Sequence, residues 1–239
     1  MINIFENLSW LPDPPEDFSS RLSSASSGAD LRELANFSLN ENQLRRLYKK
    51  LQLLNDNQKD LLPLKDLNIG IVSNATTQLV TPALIGTALR FGIALNIIEA
   101  EYNQVAQEAF SSESAFHDHE LNIILVAIDF HGLPFVSCPG NRALAEENFK
   151  DCFSYIQSIV ESLHSKTNAQ IILQNFAGPS KRLFGSYEAR LPGTLAWLIS
   201  RINNELDILI SDDIFILDIE GLASNLGLLN WHDPMLWNM

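Results

Sequence analysis

From Leu67 onward, short runs dense in Ile, Val and Leu alternate with longer stretches of helical periodicity. The apolar runs read as strands over 68–72, 94–99, 123–128, 171–175 and 214–217. Helical patterns occupy 78–91, 103–110, 142–164, 195–205 and 219–226. Nearly continuous branched apolar residues predict strands buried on both faces, as in a parallel sheet sandwiched between helices. Gly92 and Gly227 stand just past helical patterns, where helices stop. The rhythm therefore predicts a three-layer α/β/α domain. Its five-stranded, mostly parallel sheet would be flavodoxin-like, with strand order 2-1-3-4-5.

A chain of 239 residues that is 46% hydrophobic and 19% charged can bury one large core. Its net charge of −13 argues against non-specific nucleic-acid binding, which needs clustered cations. A basic run, Arg45-Arg46 with Lys49-Lys50, lies on an expected surface helix. The apolar runs are strand-sized and too short to span a bilayer. The first residues, MINIFENLSWLPDPPED, lack the basic and apolar regions of a signal peptide. Cys138 and Cys152 form neither a disulfide framework nor a metal cluster, so reduced cysteines in a cytoplasmic protein are expected.

Residues 1–66 read as a helical extension that packs on a main domain spanning 67–239. Pro12, Pro14 and Pro15 keep its start extended, and the Ser-rich 19–27 reads as loop or weak helix. Helices follow over 30–36 and 40–54. Leu44, Leu47, Leu51 and Leu54 form one apolar stripe on the second of these, expected to cover an edge of the main domain.

A parallel sheet gathers its strand C-termini on one edge, where ligands of open α/β folds sit. The first strand ends in Ser73-Asn74-Ala75-Thr76-Thr77, a turn rich in hydroxyl and amide groups. Ser112 and Ser114 come after the second strand and its helix. Asp129 and His131 come after the third, Asn175 after the fourth, and His232 with Asp233 near the end of the chain. Converging, such groups can hold an oxyanion and activate a hydroxyl. Singly, each has a structural role open to it: helix capping by Ser73 or Thr76, a turn at Asp129, a backbone tie at Asn175. His117-Asp118-His119 suggests a metal but has no third ligand nearby and reads as a solvated loop. Phosphate-binding and GxSxG signatures are lacking. Gly185 shapes a loop bordering the same edge, and Lys181, Arg182 and Arg190 in it either meet an anion or are simply solvated.

At these residues the chain resembles the N-terminal domain of FkbH-type proteins of the HAD superfamily. Trp10-Leu11-Pro12 with Asp17-Phe18 is similar to the family's opening. Ser73-Asn74-Ala75-Thr76-Thr77 resembles its turn after the first strand, and Arg90-Phe91-Gly92-Ile93 its helix end. Asn103 to Glu108 leading to Ser114, Phe184-Gly185-Ser186-Tyr187 and the tract from Trp231 to Trp237 resemble further signatures. The resemblance implies an SGNH-hydrolase-like fold. It also implies a covalently adjacent HAD phosphatase-type domain, which would hold Mg²⁺ and an aspartate nucleophile. No cofactor is expected in this chain, which on this reading is one domain of a longer protein. The family's whole enzymes load a glyceryl unit from a phosphorylated glycerate onto an acyl carrier protein, in natural-product biosynthesis.

The SGNH turn would place Ala75 where a nucleophilic serine stands, and Asp233 near the position of the family base, with His232 one residue early. Removing a triad member costs several powers of ten in rate. The leading expectation is a binding domain for an acyl carrier protein, its phosphopantetheine-linked substrate or its acyl or glyceryl cargo. Ser73, Asn74, Ser114, Asp129 and Asn175 would form the binding or oxyanion groups. An alternative is an active esterase or acyltransferase with Thr76, His232 and Asp233 as catalytic residues. Another is a scaffold or oligomerisation domain with a vestigial pocket. No membrane or nucleic-acid partner is expected.

Overall fold

The computed structural model of the chain describes residues 10–57, 61–114, 116 and 119–232. Helices α1 (Phe18–Ser24), α2 (Gly28–Leu34) and α3 (Glu41–Asp56) precede β1 (Lys65–Ser73). Then α4 (Val80–Arg90), β2 (Ile93–Glu99), α5 (Val105–Phe110), β3 (Ile123–Ala127), α6 (Arg142–Thr167) and β4 (Gln170–Gln174) alternate. The chain continues through α7 (Leu195–Glu205), β5 (Ile214–Leu217), α8 (Ile219–Leu226) and α9 (Leu228–Trp231). The five strands form one sheet of order β2-β1-β3-β4-β5. Strand β4 pairs in parallel with β3 and β5, with Ile124 opposite Ile171 and Leu173 opposite Ile216. Parallel neighbours require a crossover between them, and the helices supply it. The architecture is the helix-flanked α/β fold expected from the alternation.

Packing divides the chain into two compact units, the first comprising residues to Ile69 with Thr76–Ile98, the second Gly70–Ala75 with Glu99 onward. In the first, α1, α2 and α3 share one apolar core with α4 and β2. Leu31 and Leu47 are fully buried there beside Ile85, Leu89 and Leu95. The leucine stripe of α3 explains this: Leu47, Leu51 and Leu54 are buried, one or two turns apart on one face. Reciprocal capping boxes start two of these helices, Ser27 with Asp30 at α2 and Asn40 with Gln43 at α3. The Ser-rich segment is helical from Phe18 to Ser24 because Phe18 and Leu22, one turn apart, both enter the core.

The second unit is built around β3 and β4. Ile124, Val126, Ile171 and Leu173 are fully buried, as are Ile156, Ile159, Val160 and Leu163 of α6 and Leu198 and Ile202 of α7. Strand β5 departs from the expectation of burial on both faces. Phe215 and Leu217 are 45% and 38% exposed, alternating with better-covered Ile214 and Ile216. An edge strand has a neighbour on one side only, so cover over its outer face is thin.

Candidate functional site

Within the second unit, the ends of β1, β3 and β4 lie side by side, and their polar residues interlock. The Ser73 hydroxyl donates to the Ala127 carbonyl at 2.8 Å and accepts the Ala75 N–H at 3.0 Å. Both roles are structural: they tie the end of β1 to β3 and set the turn. Asn74, only 5% exposed, faces Asp129 with both ends of its amide. Its Nδ2 donates to Asp129 Oδ1 at 2.7 Å, and its Oδ1 accepts the Asp129 N–H at 2.9 Å. Asp129 Oδ1 also accepts the His131 N–H at 2.9 Å, while Oδ2 lies 3.0 Å from His131 Nδ1. A 3₁₀ turn over Phe130–Gly132 holds this knot. Gly132 is needed for close approach, because a Cβ there would stand 2.8 Å from Ile128 Cγ2 and 3.0 Å from Asn74 Cγ.

A carboxylate bonded to Nδ1 fixes the orientation of an imidazole and can support the positive charge formed when that ring takes a proton. The pair Asp129–His131 has this geometry. His131 stacks on Phe130 with ring centroids 4.1 Å apart, and the His232 ring lies 6.1 Å from that of His131, nearly parallel. Two imidazoles and a carboxylate thus meet at one corner of the unit. Among the described residues no group of three or more His, Cys, Asp or Glu forms a metal cage.

At the end of β4, Asn175 is committed to the start of α8. Its Nδ2 donates to Asp218 Oδ1 at 2.9 Å, and its Oδ1 accepts the Glu220 N–H at 2.7 Å. An amide carries two N–H bonds and Asp218 takes one, so Asn175 has limited capacity as an oxyanion donor. Asp218 caps α8 by accepting the Gly221 N–H at 2.9 Å. That N–H bond, and then the Asn175 amide, hold the Asp218 carboxyl below its ordinary pKa. Just beyond, Asn203 of α7 accepts the Phe176 N–H and donates back to the Phe176 carbonyl, clamping the loop that leaves β4.

These elements enclose a cleft of about 530 Å³. Its apolar lining includes Phe130, Phe176, Leu183, Phe184, Ile219 and Trp231, and polar groups come from Asp129, Gln174, Asn175, Lys181 and His232. The size and mixed lining suit a medium-sized organic ligand. The loop on one side is anchored by Glu188, whose buried carboxylate accepts the Phe184 N–H at 3.0 Å and whose carbonyl accepts the Thr194 hydroxyl at 2.7 Å.

The structure thus brings together Ser73, Asn74 and Asp129, and places Asp129, Asn175 and His232 around one cleft. Ser114 is not among the residues lining the cleft. Its buried hydroxyl donates to Glu108 Oε2 at 2.6 Å and accepts the Phe116 N–H, an internal tie for the segment after α5. Thr76 is exposed in the turn before α4 and belongs to the first unit. Asp233, His117 and Asp118 lie outside the described residues. Asp218, Phe176 and Trp231 are site residues that strand-end reasoning missed. Asp218 directly follows β5, so applying the same rule to that strand finds it.

The profile of the FkbH N-terminal domain family matches residues 68–238. The chain belongs to the FkbH N-terminal domain family. No curated protein matches the chain. Among solved structures it is similar to the N-terminal part of the protein BF1531 from Bacteroides fragilis, described as containing a phosphatase domain complexed with Mg. That likeness has a TM-score of 0.68 at 19% identity, over 84% of this chain and 50% of the other. The chain therefore spans about half the length of that structure, and the likeness concerns the fold.

Proposed function

We propose that the second unit binds the acyl or glyceryl cargo of an acyl carrier protein, held through its phosphopantetheine arm, within an FkbH-type protein. A companion HAD phosphatase-type domain would perform the Mg²⁺-dependent transfer chemistry, and this domain would serve as the SGNH-like substrate holder. Family membership supports the parentage, and so does the likeness to the N-terminal part of a phosphatase-domain protein.

The observation that carries the reading is the composition of the cleft. A pantetheine thioester has a branched apolar stem, two amides, a polarised carbonyl and, when attached, a phosphate. The aromatic and aliphatic walls at Phe176, Leu183, Phe184 and Trp231 suit the stem and acyl chain. Gln174, whose Nε2 donates to the Ile128 carbonyl, offers its Oε1 to a ligand amide, and Lys181, the one lysine or arginine lining the cleft among the described residues, suits the phosphate. Serving as a holder is consistent with the use of Ser73 and Asn74 as internal ties rather than as reacting groups.

Isothermal titration of the folded chain with an S-acyl pantetheine phosphate tests this. Saturable one-site binding is expected, weakened about tenfold or more by Leu183→Asp, which puts a charge on an exposed apolar wall. Lys181→Glu should weaken the phosphorylated ligand more than the unphosphorylated one. No saturable binding, or binding indifferent to both changes, rejects the reading.

A further inference from the structure

Beside the cleft, the loop from Lys181 to Arg190 carries an unusual surface for so acidic a chain. Leu183 is 90% exposed, Tyr187 60% and Phe184 46%. Lys181, Arg182 and Arg190 are exposed among them, and no ion pair within 4.0 Å engages any of the three among the described residues. The carboxylate in this stretch, Glu188, is buried and occupied with the Phe184 N–H. The ten residues thus present a net positive, partly aromatic face on a protein of net charge −13. The face is built rather than slack. Glu188 anchors it from beneath, the 3₁₀ turn Gly185–Arg190 shapes it, and the Thr194 hydroxyl, at the N-cap of α7, bonds back to it.

Exposed apolar side chains beside unpaired cations signal a recognition surface. Charge complementarity names its occupant, because a chain of net charge −13 repels acidic proteins as a whole while this cationic loop attracts them. We propose that the Lys181–Arg190 loop is the docking face for an acidic protein partner, which delivers its arm-borne acyl group into the adjacent cleft. The proposal rests on the reading of the cleft as a thioester holder and adds the surface that receives the carrier. Arg182 and Arg190 would steer the acidic surface, and Tyr187 would bury against it. Lys181 and Leu183, which also line the cleft, would stand where the arm leaves the carrier.

The test compares two ligands on the same full chain: an acidic carrier protein loaded with an acyl-phosphopantetheine arm, and the free S-acyl pantetheine phosphate. Variants are Arg182→Glu/Arg190→Glu and Tyr187→Ser, none of which lines the cleft. The double charge reversal should weaken the carrier about tenfold or more and flatten its salt dependence, with free thioester affinity unchanged. Tyr187→Ser should weaken the carrier at every salt concentration. Carrier binding that ignores the reversal overturns the docking face while leaving the cleft reading intact, and so does a carrier that fails to bind while free thioester binds. Carrier binding lost on reversal, with no free thioester binding at all, keeps the docking face and removes the cleft reading. Equally tight, reversal-sensitive binding of heparin fragments in place of the carrier shows a general polyanion patch and overturns the proposal.

Discussion

The two units each carry a cleft of similar volume, about 530 Å³ in the second and about 560 Å³ in the first, yet the two are chemically unlike. In the first unit the groove runs along α3 and β2, its rim of Lys49, Gln52, Asn55, Asp56, Asp66 and Asn96 set among Leu51, Leu53, Leu61, Ile85, Leu95 and Ile97. Of its apolar lining, Leu51, Ile85, Ala94 and Leu95 are buried in the unit's leucine core, and Leu53 is exposed. In the second unit apolar side chains are spent differently: Leu183, Phe184 and Trp231 remain partly exposed around a hollow, while polar residues are cross-linked beneath it. Volume alone does not make a site; unburied apolar wall beside organised polar groups does. On the proposed reading the second unit keeps its uncovered apolar wall for a ligand, while the first buries most of its leucines in a core.

Substitutions that strike each unit's characteristic feature probe this contrast. The largest effect is expected for Leu47→Ala, which empties the fully buried centre of the first unit's core. It should cost roughly 2–5 kcal/mol in denaturant unfolding, with thioester binding unaltered in the population that stays folded. A loss of affinity on that change would show that the groove side of the molecule participates. Next comes Asp129→Ala, which strips the acceptor from Asn74 Nδ2 and both contacts to His131. Leaving the buried Asn74 Nδ2 without its acceptor should cost about 1–3 kcal/mol and also free the imidazole to rotate, visible as changed His131 ring chemical shifts by NMR. If stability and the His131 signal are both untouched, the knot is decorative. Asn175→Ala, which unties the start of α8, should cost about 1 kcal/mol.

The smallest effect is a pH dependence. The carboxyl of Asp218 titrates lower in the folded chain than its ordinary value of 3.8, because of the Gly221 N–H and the Asn175 amide. A depressed folded pKa gives stability that is present in full above the unfolded value and fades as pH falls through the folded one. Unfolding followed from pH 6 down to about 2.5 should therefore show an acid loss that Asp218→Asn reduces. Identical acid profiles in the two proteins would contradict the cap. Cys152 supplies a kinetic counterpart: burial, with help from the neighbouring Asp151 charge, pushes its thiol up to about 11. Alkylation of Cys152 at neutral pH should wait for unfolding.

Much of this arrangement was legible in the chain. Branched apolar runs mark the strands, and the rule that strand ends gather on one edge places Asn74 near Asp129, which it bonds. Local reasoning stopped where long-range partners decide. Nothing near Ser114 announces that Glu108 will take its hydroxyl, since both must first be buried. The helix over the Ser-rich segment depends on Phe18 and Leu22 finding a core built by leucines from α2 and α3. The outer wall of the cleft comes from the loop beyond Phe176, whose course Asn203 and Glu188 set from a distance. Polar ties across tens of residues leave no periodic trace.

Hydrogen–deuterium exchange with and without S-acyl pantetheine phosphate puts the contrast between the two clefts to its most direct test. Protection should appear over 174–184 and 217–232, with residues 48–56 and 94–97 exchanging as in the unliganded chain. Protection confined to the α3 and β2 segments would assign the ligand to the other groove and contradict the account.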